Sequence, residues 1–139
     1  MINYIIGEKG FGKTKAMIDL ANTEVEKAKG DIVFLTDKNK NIHAVSNKVR
    51  LIPIEESGMS VATLTEDMML GFICGVLSAN YDIQTMYIDG AHRLLNKQVS
   101  EMEYFFTNLA KIADNTKVNF CVSVSSSAEN TPKFIKKKK

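Results

Sequence analysis

The sequence predicts an α/β fold of three layers, a mainly parallel sheet of about five strands packed between helices. Three observations predict it. Short apolar runs of strand length alternate along the chain with segments whose apolar residues recur at helical spacing, the pattern of strands joined by crossover helices. Several of the strand-like runs are almost continuously apolar, as expected of strands covered on both sides. Four of them lead into a glycine or a polar residue, Gly7, Asp37, Asp89 and Ser125. Parallel pairing would bring these four ends to one edge of the sheet, where ligands bind in open α/β folds.

The first run, Ile2, Tyr4, Ile5 and Ile6, reads as a strand buried on both faces that stops at Gly7. From Lys13 the spacing is helical. Met17, Leu20, Ala21, Val25 and Ala28 fall on one face, with Asp19, Glu24, Glu26 and Lys27 mostly opposite. Gly30 is the expected helix stop. Residues 32–35 form the second strand, ahead of Thr36 and Asp37, and residues 49–54 the third, which Pro53 restricts to an edge or a strand end. Thr65, with Glu66 and Asp67, opens a helix carrying Met69, Phe72, Ile73, Val76 and Leu77, although Gly71 and Gly75 weaken it. Met86, Tyr87 and Ile88 form a strand ending at Asp89. Ser100 and Glu103 fit a capping box for a helix with Met102, Phe105, Phe106, Leu109 and Ile112 on its core face. The last strand alternates Val118, Phe120, Val122 and Val124 with Asn119, Cys121 and Ser123, and runs into Ser125, Ser126 and Ser127.

Composition limits the function classes. With 45% hydrophobic and 24% charged residues the chain has the make-up of an ordinary globular domain, and its length suffices for a core without disulfide or metal staples. Residues 1–132 are read as one domain, followed by a basic tail, 133–139. Lys133, Lys136, Lys137, Lys138 and Lys139 supply five of the 18 basic residues; the other 13, against 16 acidic ones, leave the body at −3. The formal charge of +2 thus belongs to the tail and does not support a nucleic-acid-binding face. The tail reads as a solvated, frayed end, with a weak anchor for anionic lipid or RNA as the alternative. No apolar run approaches the roughly 18 residues needed to span a bilayer. Cys74 and Cys121 sit in apolar segments and no secretory leader is visible, which leads to the expectation of a reducing, cytoplasmic setting.

Between the first strand and the first helix lies GEKGFGKT, residues 7–14, a full match to GxxxxGK[ST]. Gly7, Gly10 and Gly12 permit positive φ and close approach, so that successive N–H groups can cradle a phosphate at a helix N-terminus. Lys13 can reach β- and γ-phosphates, and the hydroxyl of Thr14 is placed to ligate Mg²⁺. The candidate nucleotide-binding residues are therefore Gly7, Glu8, Lys9, Gly10, Phe11, Gly12, Lys13, Thr14 and Lys15, of which Glu8 and Lys9 also read as solvated.

GEKGFGKT together with MYIDG, residues 86–90, resembles the Walker A and Walker B motifs of P-loop NTPases. The resemblance implies a RecA-like P-loop fold, with Asp89 completing the Mg²⁺ shell opposite Thr14, ATP as ligand, and Lys13, Asp89 and His92 as candidate catalytic residues. More closely, the chain is similar to small stand-alone bacterial P-loop proteins described only as ATP-binding. Some of these carry the label of a twitching-motility ATPase, but enzymes of that kind are much longer, with acidic and histidine motifs that have no room here. The order of strands is also similar to the thymidine kinase core, without the cysteines of its zinc lobe.

Where many hydrolysing relatives place a Glu after the Walker B Asp, this chain has Gly90. Hydrolysis is therefore expected to be slow or assisted. His92 is either a phosphate- or water-binding residue or an exposed loop histidine, and Arg93 either an arginine finger across an oligomer interface or a surface charge. Ser123 and Ser125 take the place of the polar sensor on the strand next to the P-loop, or simply end a strand. Asp37 is a candidate support for a water or Mg²⁺. NKxD, the guanine-reading pattern, is absent, which favours ATP over GTP. His43 and His92 offer no zinc spacing. Three functions follow: a slow Mg²⁺-dependent ATPase, a nucleotide-responsive binding module without significant hydrolysis, or, third, a small-molecule kinase. A homo-oligomer or an unidentified protein partner is left open.

Overall fold

The computed structural model describes residues 1–8, 10, 12–37, 43–126 and 131–136, apart from the side chains of Lys133 and Lys136. Five parallel strands form a single sheet: β1 (Ile2–Gly7), β2 (Asp31–Thr36), β3 (Arg50–Pro53), β4 (Ile83–Ile88) and β5 (Asn119–Ser125), in the spatial order β1-β5-β4-β2-β3. The helices are α1 (Lys13–Lys27), α2 (Glu66–Ala79), α3 (Ala91–Leu95), α4 (Glu103–Thr116) and α5 (Lys133–Lys136). Among the described residues no helix is long and apolar enough to cross a membrane.

Strand side chains alternate between the two faces, and the core divides accordingly. Ile32, Phe34, Tyr87 and Cys121 pack under Met17, Ile18 and Ala21 of α1. Val33, Leu35, Met86, Ile88, Phe120, Val122 and Val124 meet α2, α3 and α4 on the other face. The expected three-layer architecture with its five-stranded parallel sheet is therefore present. Burial of Cys121 raises its thiol to about 11, with the Glu24 carboxylate adding to the shift.

Several elements differ from expectation for identifiable reasons. β1 pairs only with β5, so it is an edge strand, half-buried beyond Ile2, rather than one buried on both faces. β3 is the opposite edge and ends at Pro53, which satisfies both expected placements, and Ile54 already belongs to a 3-10 turn. Gly30 does not stop α1, which ends at Lys27 with Ala28 extended at φ −71°, ψ 141°. Its smallness serves a close approach instead: a Cβ on Gly30 would lie 2.3 Å from the Asp82 carbonyl oxygen. α2 runs unbroken through Gly71 and Gly75, and the Thr65 hydroxyl caps it by accepting from Met68 N at 3.1 Å. The Ser100–Glu103 capping box does not form. The same pattern one frame earlier prevails: Gln98 N donates to Glu101 Oε1 at 3.0 Å and opens a 3-10 turn, while buried Val99 and Met102 pin the segment to the core. The tail is not wholly solvated, since Phe134 packs on Phe106, which meets Tyr4 edge-on, and Ile135 is buried. Ser127 and Lys137, Lys138 and Lys139 lie outside the described residues.

The face of α1 also departs from simple periodicity. Leu20 is 50% exposed, while Glu24, expected on the solvent side, lies against the sheet. Its carboxylate accepts from Tyr87 Oη at 2.5 Å, Thr85 Oγ1 at 2.6 Å and Gln84 Nε2 at 2.8 Å. Burial pushes this carboxyl up, but the bonds from Thr85, Tyr87 and Gln84 outweigh it and hold Glu24 below the usual carboxylate range. Glu24→Gln, which adds a donor opposite three donors, is expected to cost about 1–3 kcal/mol at neutral pH. A depressed value means that the ionised form stabilises the fold above the ordinary carboxylate range and that this contribution fades as pH falls through the native value. Urea denaturation at neutral and acidic pH should therefore show the gap between variant and parent narrowing with acidification.

Candidate functional site

All five strands run the same way, so Gly7, Asp37, Asp89 and Ser125 do emerge at one edge. Gly7 pairs in register with Ser125, Ile88 with Val122 and Leu35 with Ile88. Asp89 N donates to the Leu35 carbonyl at 2.9 Å, which ties the Asp89 backbone to the end of β2.

The glycine-rich loop leads from β1 into α1. Gly10 and Gly12 adopt φ +95° and +72°, conformations other residues rarely take, whereas Gly7 remains an ordinary strand residue, contrary to its expected positive φ. Gly12 is the N-cap of α1 and has no side chain with which to satisfy the first helical N–H groups. The first turn contains no acid but does contain Lys13 and Lys15. Two cations at the positive end of a helix dipole are unfavourable unless an anion joins them. Lys13 Nζ folds back to donate to the Glu8 carbonyl at 2.8 Å. Burial and then the Arg93 charge lower the Lys13 pKa, against a smaller upward pull from Asp89. Lys15 sends its side chain away, to Asp19 at 3.2 Å, and the Glu8 side chain is exposed. Lys9 and Phe11 lie outside the described residues.

Thr14 and Asp89, 75 positions apart, meet here: Thr14 Oγ1 donates to Asp89 Oδ1 at 3.1 Å. Asp89 is 4% exposed, and its surroundings supply further donors. Ser123 Oγ donates to Oδ1 at 3.2 Å and accepts from Gly90 N at 2.8 Å. Ser123 thus positions Asp89 from within the core. Ser125 serves through its backbone, N–H donating to His92 Nδ1 at 3.2 Å. Burial, then the charges of Arg93 and Lys13, lower the His92 pKa, in keeping with an unprotonated, accepting Nδ1. Arg93 spans the two acids, with Nε 3.3 Å from Asp37 Oδ2 and Nη2 3.6 Å from Asp89 Oδ2. Gly90, at φ +71°, lies beneath that guanidinium: a Cβ there would be 2.6 Å from it. The positive φ accounts for glycine at the position after Asp89.

Thr14 and Asp89 are oxygen donors suited to Mg²⁺, a cation that keeps much of its shell for water and phosphate oxygens. Among the described residues no group of three or more His, Cys, Asp or Glu converges as a metal site. No protein-family model matches this chain, and no curated protein matches it.

Two consequences are measurable. Ser123→Ala leaves the buried Gly90 N–H and Asp89 Oδ1 short of a partner, and should lower unfolding free energy by about 1–3 kcal/mol in urea titrations. The unfolded chain takes up a proton at the ordinary His value of 6.5 before native His92 does. Stability should therefore fall as pH drops below that value and level off beneath the native one. His92→Gln should give a shallower decline in Tm over the same interval.

Proposed function

We propose that this chain is a cytoplasmic P-loop protein of the RecA-like type that binds ATP with Mg²⁺ through residues 7–15 and hydrolyses it slowly. The observation that carries the reading is the meeting of the Thr14 hydroxyl and the Asp89 carboxylate at 3.1 Å beside two positive-φ glycines at the start of α1. The position of β5 between β1 and β4 also supports it, because it gives Ser123 and Ser125 the strand next to the loop.

The chain's own residues define the chemistry. The first N–H groups of α1, for which Gly12 offers no side-chain cap, would hold phosphate oxygens. Lys13 would exchange the Glu8 carbonyl for the β- and γ-phosphates, and Thr14 and Asp89 would hold the cation. Bound Mg²⁺ would neutralise charge on the same phosphate oxygens. Position 90, where many hydrolysing relatives carry a Glu, supplies no base for the attacking water, since Gly90 brings no carboxylate. Asp37 is another acid at this edge, and Arg93 engages it. A site that binds the nucleotide well but lacks an ungated base is slow.

Gly90 in place of a Glu favours a second reading, a nucleotide-responsive module without significant turnover. Titration with ATP and ADP, with and without Mg²⁺, followed by phosphate release from the same samples, separates the two. Lys13→Ala is expected to weaken Mg²⁺-dependent ATP binding by about ten- to a hundredfold, the worth of a charge-assisted hydrogen bond. Unchanged affinity in that variant would overturn nucleotide binding at this loop. Binding without phosphate release would establish the module instead.

A further inference from the structure

The guanidinium of Arg93 and a divalent cation have claims on the same carboxylate. Asp89 Oδ1 already accepts from Thr14 at 3.1 Å and from Ser123 at 3.2 Å. Its other oxygen, Oδ2, faces Arg93 Nη2 at 3.6 Å, with Thr14 Oγ1 at 3.4 Å. The Asp89 side chain is 5% exposed and that of Arg93 47%, so the arginine covers the buried acid from the solvent side. Three features of the chain place it there. Arg93 follows Asp89 by one helical turn, through a bond from Arg93 N to the Gly90 carbonyl at 2.9 Å. Gly90 lacks the Cβ that would occupy the space taken by the guanidinium. Asp37, 3.3 Å from Arg93 Nε, is a second anchor on the neighbouring strand end.

Resting on the Mg²⁺-nucleotide reading above, we propose that Arg93 is an internal counter-ion that sets the metal affinity of the site by competing with the divalent cation for Asp89. A cation held by Thr14 and Asp89 sits beside the guanidinium and repels it. Arg93 releases Asp89 and is retained by Asp37, whose carboxylate draws it along the strand edge. The two acids therefore act in opposite senses on one switch. Asp89 is the ligand over which arginine and metal compete, while Asp37 makes it easier for the arginine to leave. Arg93 here is a positioning residue, acting on the metal through the oxygen that it occupies.

The test uses the full chain and two probes, Mg²⁺ alone and ADP with or without Mg²⁺. In thermal unfolding with MgCl₂ and no nucleotide, Arg93→Gln is expected to start from a lower Tm than the parent, because Asp89 loses its counter-charge, and to gain more from the metal. In calorimetry, the factor by which Mg²⁺ tightens ADP binding should be about two- to fivefold larger in Arg93→Gln, what a partly shielded ion pair amounts to. Asp37→Asn should shift that factor the opposite way, since the arginine then has Asp89 as its one remaining partner of this pair. Arg93→Lys, which keeps the charge, should restore most of the parent's behaviour. An equal metal response in parent and Arg93→Gln, or shifts of the same sign in Arg93→Gln and Asp37→Asn, would overturn the competition. Loss of ADP binding by the parent itself would instead overturn the nucleotide reading, and the Mg²⁺-only arm would still decide the role of Arg93.

Discussion

A carboxylate placed where water hardly reaches must be matched by its surroundings, and Asp89 imposes that requirement on the whole carboxyl edge of the sheet. It is matched from three directions: by Thr14 at the start of α1, by Ser123 from the adjacent strand β5, and by Arg93 one turn further along its own chain. Each partner comes from a different part of the sequence, so their convergence depends on the strand order that sets β5 and β2 on either side of β4. Parallel pairing makes this possible, because it brings every strand end to the same edge while the crossover helices cover both faces.

A second carboxylate secures the other end of α1. Glu24 is bonded to three successive or alternate residues of β4, Gln84, Thr85 and Tyr87, and the helix is thereby attached to the same strand that carries Asp89. The glycine-rich loop and Thr14 lie at the amino end of this helix. The position of the Thr14 hydroxyl is thus determined twice, once by its own bond to Asp89 and once by the seating of the helix through Glu24. Packing of Met17, Ile18 and Ala21 against the sheet supplies the apolar part of that seating, each large side chain contributing on the order of 1.5–3 kcal/mol.

The elements that were legible in the sequence share one property: a local pattern with a single tertiary outcome. Pro53 fits only an edge or a strand end, Thr65 before two acids caps a helix, and the alternation of residues 118–124 reports a strand whichever neighbours it has. GEKGFGKT and MYIDG were legible for the same reason, and Thr14 and Asp89 do meet. What could not be read depended on which partner lies across a gap. Glu24 looks like any solvent-facing acid until β4 supplies Thr85 and Tyr87. Two overlapping capping frames, 98–101 and 100–103, differ only in which one the burial of Val99 and Met102 favours. Apolar content alone made β1 look central, although strand order, which no local pattern encodes, sets it at the margin. Arg93 could be named from its place after Gly90, but its bond to Asp37 spans 56 positions and was visible only in the fold.

The sheet also sorts the two thiols. Cys121 faces α1 beneath the sheet surface with its ionisation pushed far from neutrality, while Cys74 lies exposed on α2. Thiolate-directed reagents near neutral pH discriminate on those terms, so the chain has one chemically addressable sulfur. It lies beside Tyr81, Ile83 and Val118, near where β4 and β5 begin, and the residues gathered around Asp89 lie where those strands finish. A fluorophore or spin label attached there would view the edge that carries Asp89 from across the length of the sheet, as a reporter built into the native sequence.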